Sequence, residues 1–387
     1  METQTRDTNP SSPAAKGIDA AKLERELNAM WAEMSAPEGE AQSAGVVRAC
    51  VLNLVVYAAG PEERGEVDAL LEAVVERHPC RAIVLVADRK AEEMRIAASV
   101  STRCRPSSRG SKRICGEQVT IEAAGAAVGT ASTAVAPMLV PDVPVFLWWK
   151  DIPDYEDKLF TRLAGMADRV VIDSASFDRP HADMLRLAQL LEEGGPRLSD
   201  LNWGRLTSWR SLVASFWDVA DYRESLSQIN KVVIEYDPPD RSHDQIAPKA
   251  LLALGWIVAS LGWEMAEGSS AVAEGGAQFR LSSEGREIEA VLAATDDVAG
   301  RDGLVTSLTI STATGDEFYV ELLLEEHKLK TGARLSGGGG HTVGRVLGYE
   351  AHTEGQRLCS ELDILTRDEI YEKAVAQTAR LLGAVGG

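Results

Sequence analysis

Two nearly unbroken apolar runs, CVLNLVVYA at residues 50–58 and RAIVLVAD at 81–88, constrain this chain more than any other feature. A strand that is apolar without alternation is buried on both faces, which requires helices on both sides and so favours a parallel sheet. After Pro61, the residues Val67, Leu70, Leu71, Val74 and Val75 recur at helical spacing between the two runs. The order then continues with EQVTIEA, a helix near 131–139, VPVFLWW, a short helix near 155–166, RVVIDS, and a helix carrying Met184, Leu187, Leu190 and Leu191. This alternation predicts a doubly wound, Rossmann-like α/β domain. LNWGRLTSWRSLVASFWDVA closes it as a helix whose apolar face is Leu206, Trp209, Leu212, Val213, Phe216 and Trp217.

The flanks read differently. Residues 1–17 are polar with no apolar core, so they are expected to form a disordered arm and not a secretory signal. In 18–45, Asp19 is placed to cap a helix striped by Leu23, Leu27, Met30, Trp31 and Met34, and 35–45 form a tether. That stripe must bury against its own domain or against a partner, and both remain open. The Rossmann-like domain spans 46–225, and a second, α+β domain spans 226–387. There NKVVIEY leads into DPPDRSHD, where paired prolines stop sheet and helix alike. A buried helix at 250–263 follows, then strands of period two in which Phe279, Leu281, Ile288, Leu308, Ile310 and Phe318 point inward. Turn signals at Glu284-Gly285 and Gly315-Asp316 predict antiparallel hairpins. Two helices end the domain, the last opened by a capping box from Thr366 to Glu369.

Composition narrows the function. With 40 Lys and Arg against 59 Asp and Glu, the net charge of −19 argues against nucleic acid and anionic membrane as partners. The longest apolar run, 250–263, is short of the roughly 20 residues that span a bilayer. Five cysteines with no C-x-x-C pair fit a reducing, cytoplasmic setting.

Signatures of catalysis are missing. The first strand-to-helix turn, AAGPEERG, lacks the G-x-G-x-x-G that lets backbone approach a pyrophosphate, and its two glutamates repel one. SGGGGHTVGR at 336–345, with Arg334, His341 and Arg345 nearby, is a flexible connection or an anion contact, and it has no Walker A spacing. The six histidines are scattered and there is no G-x-S-x-G elbow. Asp237, Asp240, His243 and Asp244 look superficially like metal ligands, but a Pro-rich surface loop explains them more simply. No catalytic residue, cofactor site or metal site is assigned.

One stretch inverts the charge: RCRPSSRGSKR carries Arg103, Arg105, Arg109, Lys112 and Arg113 with no acid, bracketed by Cys104 and Cys115. It is a solvated loop, a docking element for an acidic partner or phosphorylated ligand, or a loop that the two cysteines latch by a disulfide.

The ordered blocks RACVLNLVV, HPCRAIVL, ICGEQVTIEA, VPDVPVFLWW and DLNWGRLTSWR resemble the OpcA family, the glucose-6-phosphate dehydrogenase assembly proteins of cyanobacteria and actinobacteria. The resemblance is strong from about residue 47 to 216 and looser beyond. It implies a non-catalytic partner that binds glucose-6-phosphate dehydrogenase, promotes its active oligomer and raises its activity. In cyanobacterial relatives that coupling is tied to thiol state. The resemblance transfers no individual contact residue. The partner-binding candidates are the basic loop, the tethered helix, and Trp148 and Trp149 at a strand end; self-association is left open. The alternative is a sugar-phosphate or nucleotide-binding enzyme or sensor, with a site at the sheet's C-terminal edge beyond Val56, Val86 and Trp149.

Overall fold

The computed structural model describes residues 2–6, 18–35, 46–106, 113–273, 276–296, 302–336, 344–349 and 352–385. In chain order, the elements begin β1 (Glu2–Arg6), α1 (Ala20–Met34), β2 (Val46–Arg48), β3 (Leu52–Ala58), α2 (Arg64–Arg77), β4 (Cys80–Asp88), β5 (Arg95–Pro106) and β6 (Arg113–Ala124). They continue with α3 (Val128–Val135), β7 (Val145–Trp149), α4 (Lys158–Ala164), β8 (Arg169–Ile172), α5 (Pro180–Glu192), β9 (Leu198–Asp200), α6 (Leu201–Arg205) and α7 (Thr207–Ser215). After β10 (Ile229–Tyr236) and α8 (Pro248–Leu261) come β11 (Glu264–Ala273), β12 (Gly276–Ser283), β13 (Arg286–Ala294), β14 (Val305–Thr312) and β15 (Glu317–Leu323). The last elements are β16 (Lys328–Arg334), β17 (Val346–Gly348), α9 (Glu354–Leu362) and α10 (Glu369–Val385).

These elements form two compact units. The first is Met1–Ile172 with Pro196–Ser199 and His352–Arg367; the second is Asp173–Gly195 with Asp200–Ala351 and Asp368–Gly387. The division therefore falls at 172/173 and not at 225/226. Helix partners decide this, not chain order: α5 and α6 pack with α8 and α10, whereas α9 packs on α2, where Gly355 approaches Ala73.

In the first unit, the described strands form a nine-stranded sheet in the order β1-β5-β6-β4-β3-β7-β8-β9, with β2 also pairing β6. The neighbours β6, β4, β3, β7 and β8 are parallel. Every residue of β3 is buried, as the missing alternation requires. Gly116 lets β6 close on β4, because a Cβ there would lie 2.7 Å from the Cys80 carbonyl oxygen. The return from β4 to β6 runs through the antiparallel strand β5. Residues 2–6, inside the expected disordered arm, pair with β5 as an antiparallel strand. Helix α1 docks on its own unit, burying Leu23, Leu27, Met30 and Trp31, and the Asp19 side chain accepts from the Lys22 amide at 3.0 Å.

The second unit holds an eight-stranded sheet, β11-β12-β13-β10-β14-β15-β16-β17. Its hairpins are antiparallel as the turns require, Glu284 and Gly285 both taking positive φ; among the described strands of this sheet, β10 and β13 alone pair in parallel. Helices α8 and α10 cross closely at Gly255, where a Cβ would collide with the Ala374 carbonyl and lie 2.7 Å from Thr378 Oγ1. Helix α10 starts on Asp368, whose carboxylate accepts from the Tyr371 amide at 2.9 Å, instead of on the expected Thr366 box. Among the described residues no helix is long and apolar enough to cross a membrane.

Candidate functional site

The parallel strands of the first unit occur in the spatial order third, second, first, fourth, fifth, so the order reverses between β3 and β7. Ligands of open α/β sheets bind in the crevice outside the strand ends at such a point. Here that crevice is filled by the chain itself. The Tyr57 ring stacks on Trp149 at 3.8 Å and 14°, and Phe160 meets Trp149 edge-on at 5.1 Å. Arg89 Nε donates to Tyr57 Oη at 2.9 Å, and the same guanidinium pairs with Asp157. Lys150 lies 4.9 Å from the Trp148 ring and 3.1 Å from Glu66 Oε1.

The turn below completes the closure. Gly60 has extended backbone, and a Cβ there would strike the Glu62 carboxylate, which folds back over this glycine. Burial raises the Glu63 carboxyl above its usual range, and its Oε2 finds no donor among the described residues. Two carboxylates thus crowd this helix start, where they would repel a phosphate.

Trp148 and Trp149, expected to offer a partner surface, are both 1% exposed, because α-helices cover both faces of the sheet.

The basic stretch forms the β5–β6 hairpin, of which residues 107–112, and so Arg109 and Lys112, lie outside the described residues. Arg103 is no docking residue either. It is 5% exposed and spends its guanidinium on Gln118 at 2.6 Å, Asp68 at 2.6 Å and Glu72 at 3.6 Å. Strand alternation turns Arg105 to the same face, half-buried, with its Nε lacking an acceptor among the described residues. Arg113 is half-buried opposite Pro106.

On the opposite face of the hairpin, Cys104 and Cys115 are direct cross-strand neighbours and form a disulfide, with Cα atoms 4.1 Å apart. It packs under Trp31 of α1, with Met34 and Val46. Trp31 Nε1 donates at 2.5 Å to Glu117, a 4%-exposed carboxylate that also receives Arg81 Nη2 at 2.6 Å and Arg48 Nε at 2.6 Å. Arg81 further pairs with Glu24 of α1 and donates to the Met138 carbonyl at 2.9 Å. Nothing in the local sequence announces this clamp, since Trp31 and Glu117 are 86 residues apart.

In the second unit, Asp237 is buried, and among the described residues no group of His, Cys, Asp and Glu could hold a metal. Arg334 pairs with Glu317 at 3.1 Å and covers the Tyr319 ring, which removes it from an anion site; His341 lies outside the described residues. The block DLNWGRLTSWR is a polar hub. Asp200 accepts from the Ser174 amide at 3.0 Å and the Asn202 amide at 2.9 Å, while the neighbouring Asp173 takes Arg205 in a fork at 2.6 and 2.7 Å. Arg210 lies 3.5 Å over the Trp203 ring.

Among solved structures, the fold is similar to a mutant form of KijD10, a 3-ketoreductase from Actinomadura kijaniata, at 11% identity and a TM-score of 0.48, covering 86% of this chain and 96% of that one. An NAD binding oxidoreductase from Klebsiella pneumoniae matches at 12% identity and a TM-score of 0.45, covering 86% and 95%. Among curated proteins, the putative OxPP cycle protein OpcA of Nostoc punctiforme is 36% identical over 196 residues, 50% of this chain and 40% of that protein. Its counterpart in Synechococcus elongatus is 30% identical over 325 residues, 80% of this chain and 69% of that protein. The chain thus matches less than half the length of the first relative and about two thirds of the second. Two family models match in order, one described as glucose-6-phosphate dehydrogenase subunit N-terminal domain over residues 71–189, the other as the C-terminal domain over 196–375. Together these matches run through both units, and the chain belongs to the OpcA family of glucose-6-phosphate dehydrogenase subunits.

Proposed function

We propose that this chain is a non-catalytic, cytoplasmic partner of glucose-6-phosphate dehydrogenase that promotes the enzyme's active oligomer and activates it allosterically in the oxidative pentose phosphate pathway. Family membership supports the partner, and one structural observation carries the non-catalytic reading: Tyr57, Trp149 and Arg89 fill the switch-point crevice, and Glu62 and Glu63 put two carboxylates in the first turn of the helix start, where they would repel a phosphate. A protein without a reaction of its own acts on an enzyme by binding its active assembly more tightly than its inactive one, and it shifts the equilibrium by that difference. Titrating the protein into the cognate dehydrogenase, with rate and mass followed together, tests this. A larger assembly with a raised rate is expected; an unchanged mass and rate sinks it.

Within this reading, Arg105 and Arg113, with Arg109 and Lys112 beside them in sequence, are the contact for an acidic patch on the enzyme. The Cys104–Cys115 pair is a thiol switch in the same hairpin. Thiol labelling that differs at both positions between reduced and oxidised protein is the expected result, and equal labelling at either discards the switch. The sugar-phosphate enzyme or sensor is disfavoured by the filled crevice. Calorimetry with glucose 6-phosphate separates it from the partner reading, a flat trace being expected.

A further inference from the structure

Among the described residues, the second sheet has one covered face and one open face. Along β10 and β12 to β16 the inward residues are buried, whereas most outward ones stay half or fully exposed. The pairing registers place Val291, Val233, Thr309 and Tyr319 in one uncharged row across four strands. Tyr319 lies flat over Gly332, whose missing Cβ makes the room. The rows on either side are charged, with opposite signs on adjacent strands: Lys231 with Glu289 at 2.8 Å, Arg334 with Glu317 at 3.1 Å and Lys330 with Glu321 at 3.7 Å.

This layout, an uncharged centre within a charged rim, is the anatomy of an interface. From β12 to β16 the outward positions hold as many Lys and Arg as Glu, although the chain as a whole carries −19. Two copies of so acidic a body repel each other over most of their surface, and a neutral face is where that repulsion is least. Six strands spaced ~4.8 Å, each about seven residues long at ~3.3 Å per residue, present roughly 700 Å². A standard interface takes about 800 Å² from each partner. We propose that the open face of the second sheet is a self-association surface, on which a second copy of this chain docks face to face.

Sedimentation of the full chain over a micromolar to submillimolar range tests it. Twice the chain mass is expected at the upper end. Val233→Glu sets a charge in the middle of the uncharged row and is expected to weaken the dimer at least about tenfold. Thr309→Arg does the same from the next strand and guards against a folding defect in the first variant, which a thermal melt reports. A wild type at single-chain mass throughout overturns the proposal, as does a dimer unmoved by both folded variants. A monomer whose complex with the dehydrogenase is lost on Val233→Glu gives the face to the enzyme, which also overturns self-association. The dehydrogenase reading stands or falls separately, on the titration described above.

Discussion

The two sheets of this molecule meet water in opposite ways. The parallel sheet of the first unit is sealed, down to the strand ends where such folds hold their ligands. There Tyr57 stacks on Trp149, Arg89 donates to the Tyr57 hydroxyl, and Glu62 and Glu63 lie in the first turn of the helix start. The sheet of the second unit is covered on one side and open on the other. The contrast fits the partner role proposed above: with its own side chains in the switch-point crevice, the fold serves as a rigid support for the surfaces it presents.

The strongest way to break the contrast is to unseal the first sheet. Trp149→Ala removes the ring between Tyr57 and Phe160, and unfolding in urea is expected to show a loss of about 3 to 5 kcal/mol. The opened crevice is still expected to bind no NADP by calorimetry, because Glu62 and Glu63 remain; measurable binding would refute the claim that the carboxylates, and not the plug alone, exclude the nucleotide. Next in size is Glu117→Gln, which leaves Arg81 buried against a neutral amide and loosens the seat of Trp31. A loss of about 3 kcal/mol is expected, together with a change in tryptophan emission. Smaller again is Gly255→Ala on the covered side of the second sheet, where one methyl pushes α8 from α10 and overpacking costs about 2 kcal/mol. An unchanged melting point would show that the crossing has slack.

How much of this was legible follows the same contrast. Burial on both faces writes itself as unbroken apolar runs, so β3, β4 and the parallel sheet could be read directly, as could the absence of a glycine fingerprint at Gly60. Hairpins were legible through Glu284-Gly285, because few residues tolerate positive φ there. Long-range pairing left no local mark. Arg103 reads as one of five loop cations, yet it is held by Asp68 from 35 residues away. Trp148 and Trp149 read as a partner surface at a strand end, which fits a sheet with one wet face and fails for one with none. The unit boundary was hidden for a similar reason: α9 belongs to the first unit through α2, on the far side of the second unit in sequence.

Buried carboxylates extend the comparison to its finest scale. Glu117 in the first unit faces two arginines, whereas Asp200 in the second accepts from neutral groups, the amides of Ser174 and Asn202 and, at 3.3 Å, the Tyr371 hydroxyl. Burial, with Asp173 adding repulsion, pushes the Asp200 carboxyl up to about 6. The folded state therefore holds this proton more tightly than the unfolded chain, whose carboxyl titrates near about 3.9. The stability from the protonated form is complete below that lower value and is lost as pH rises through about 6. Over this window the wild type is expected to lose up to about 1.4 kcal/mol per pH unit relative to Asp200→Asn, whose amide does not titrate. Paired urea titrations between the two pH limits measure the difference. Parallel curves for the two proteins would mean that Asp200 stays ionised in the folded state, held by its neutral donors.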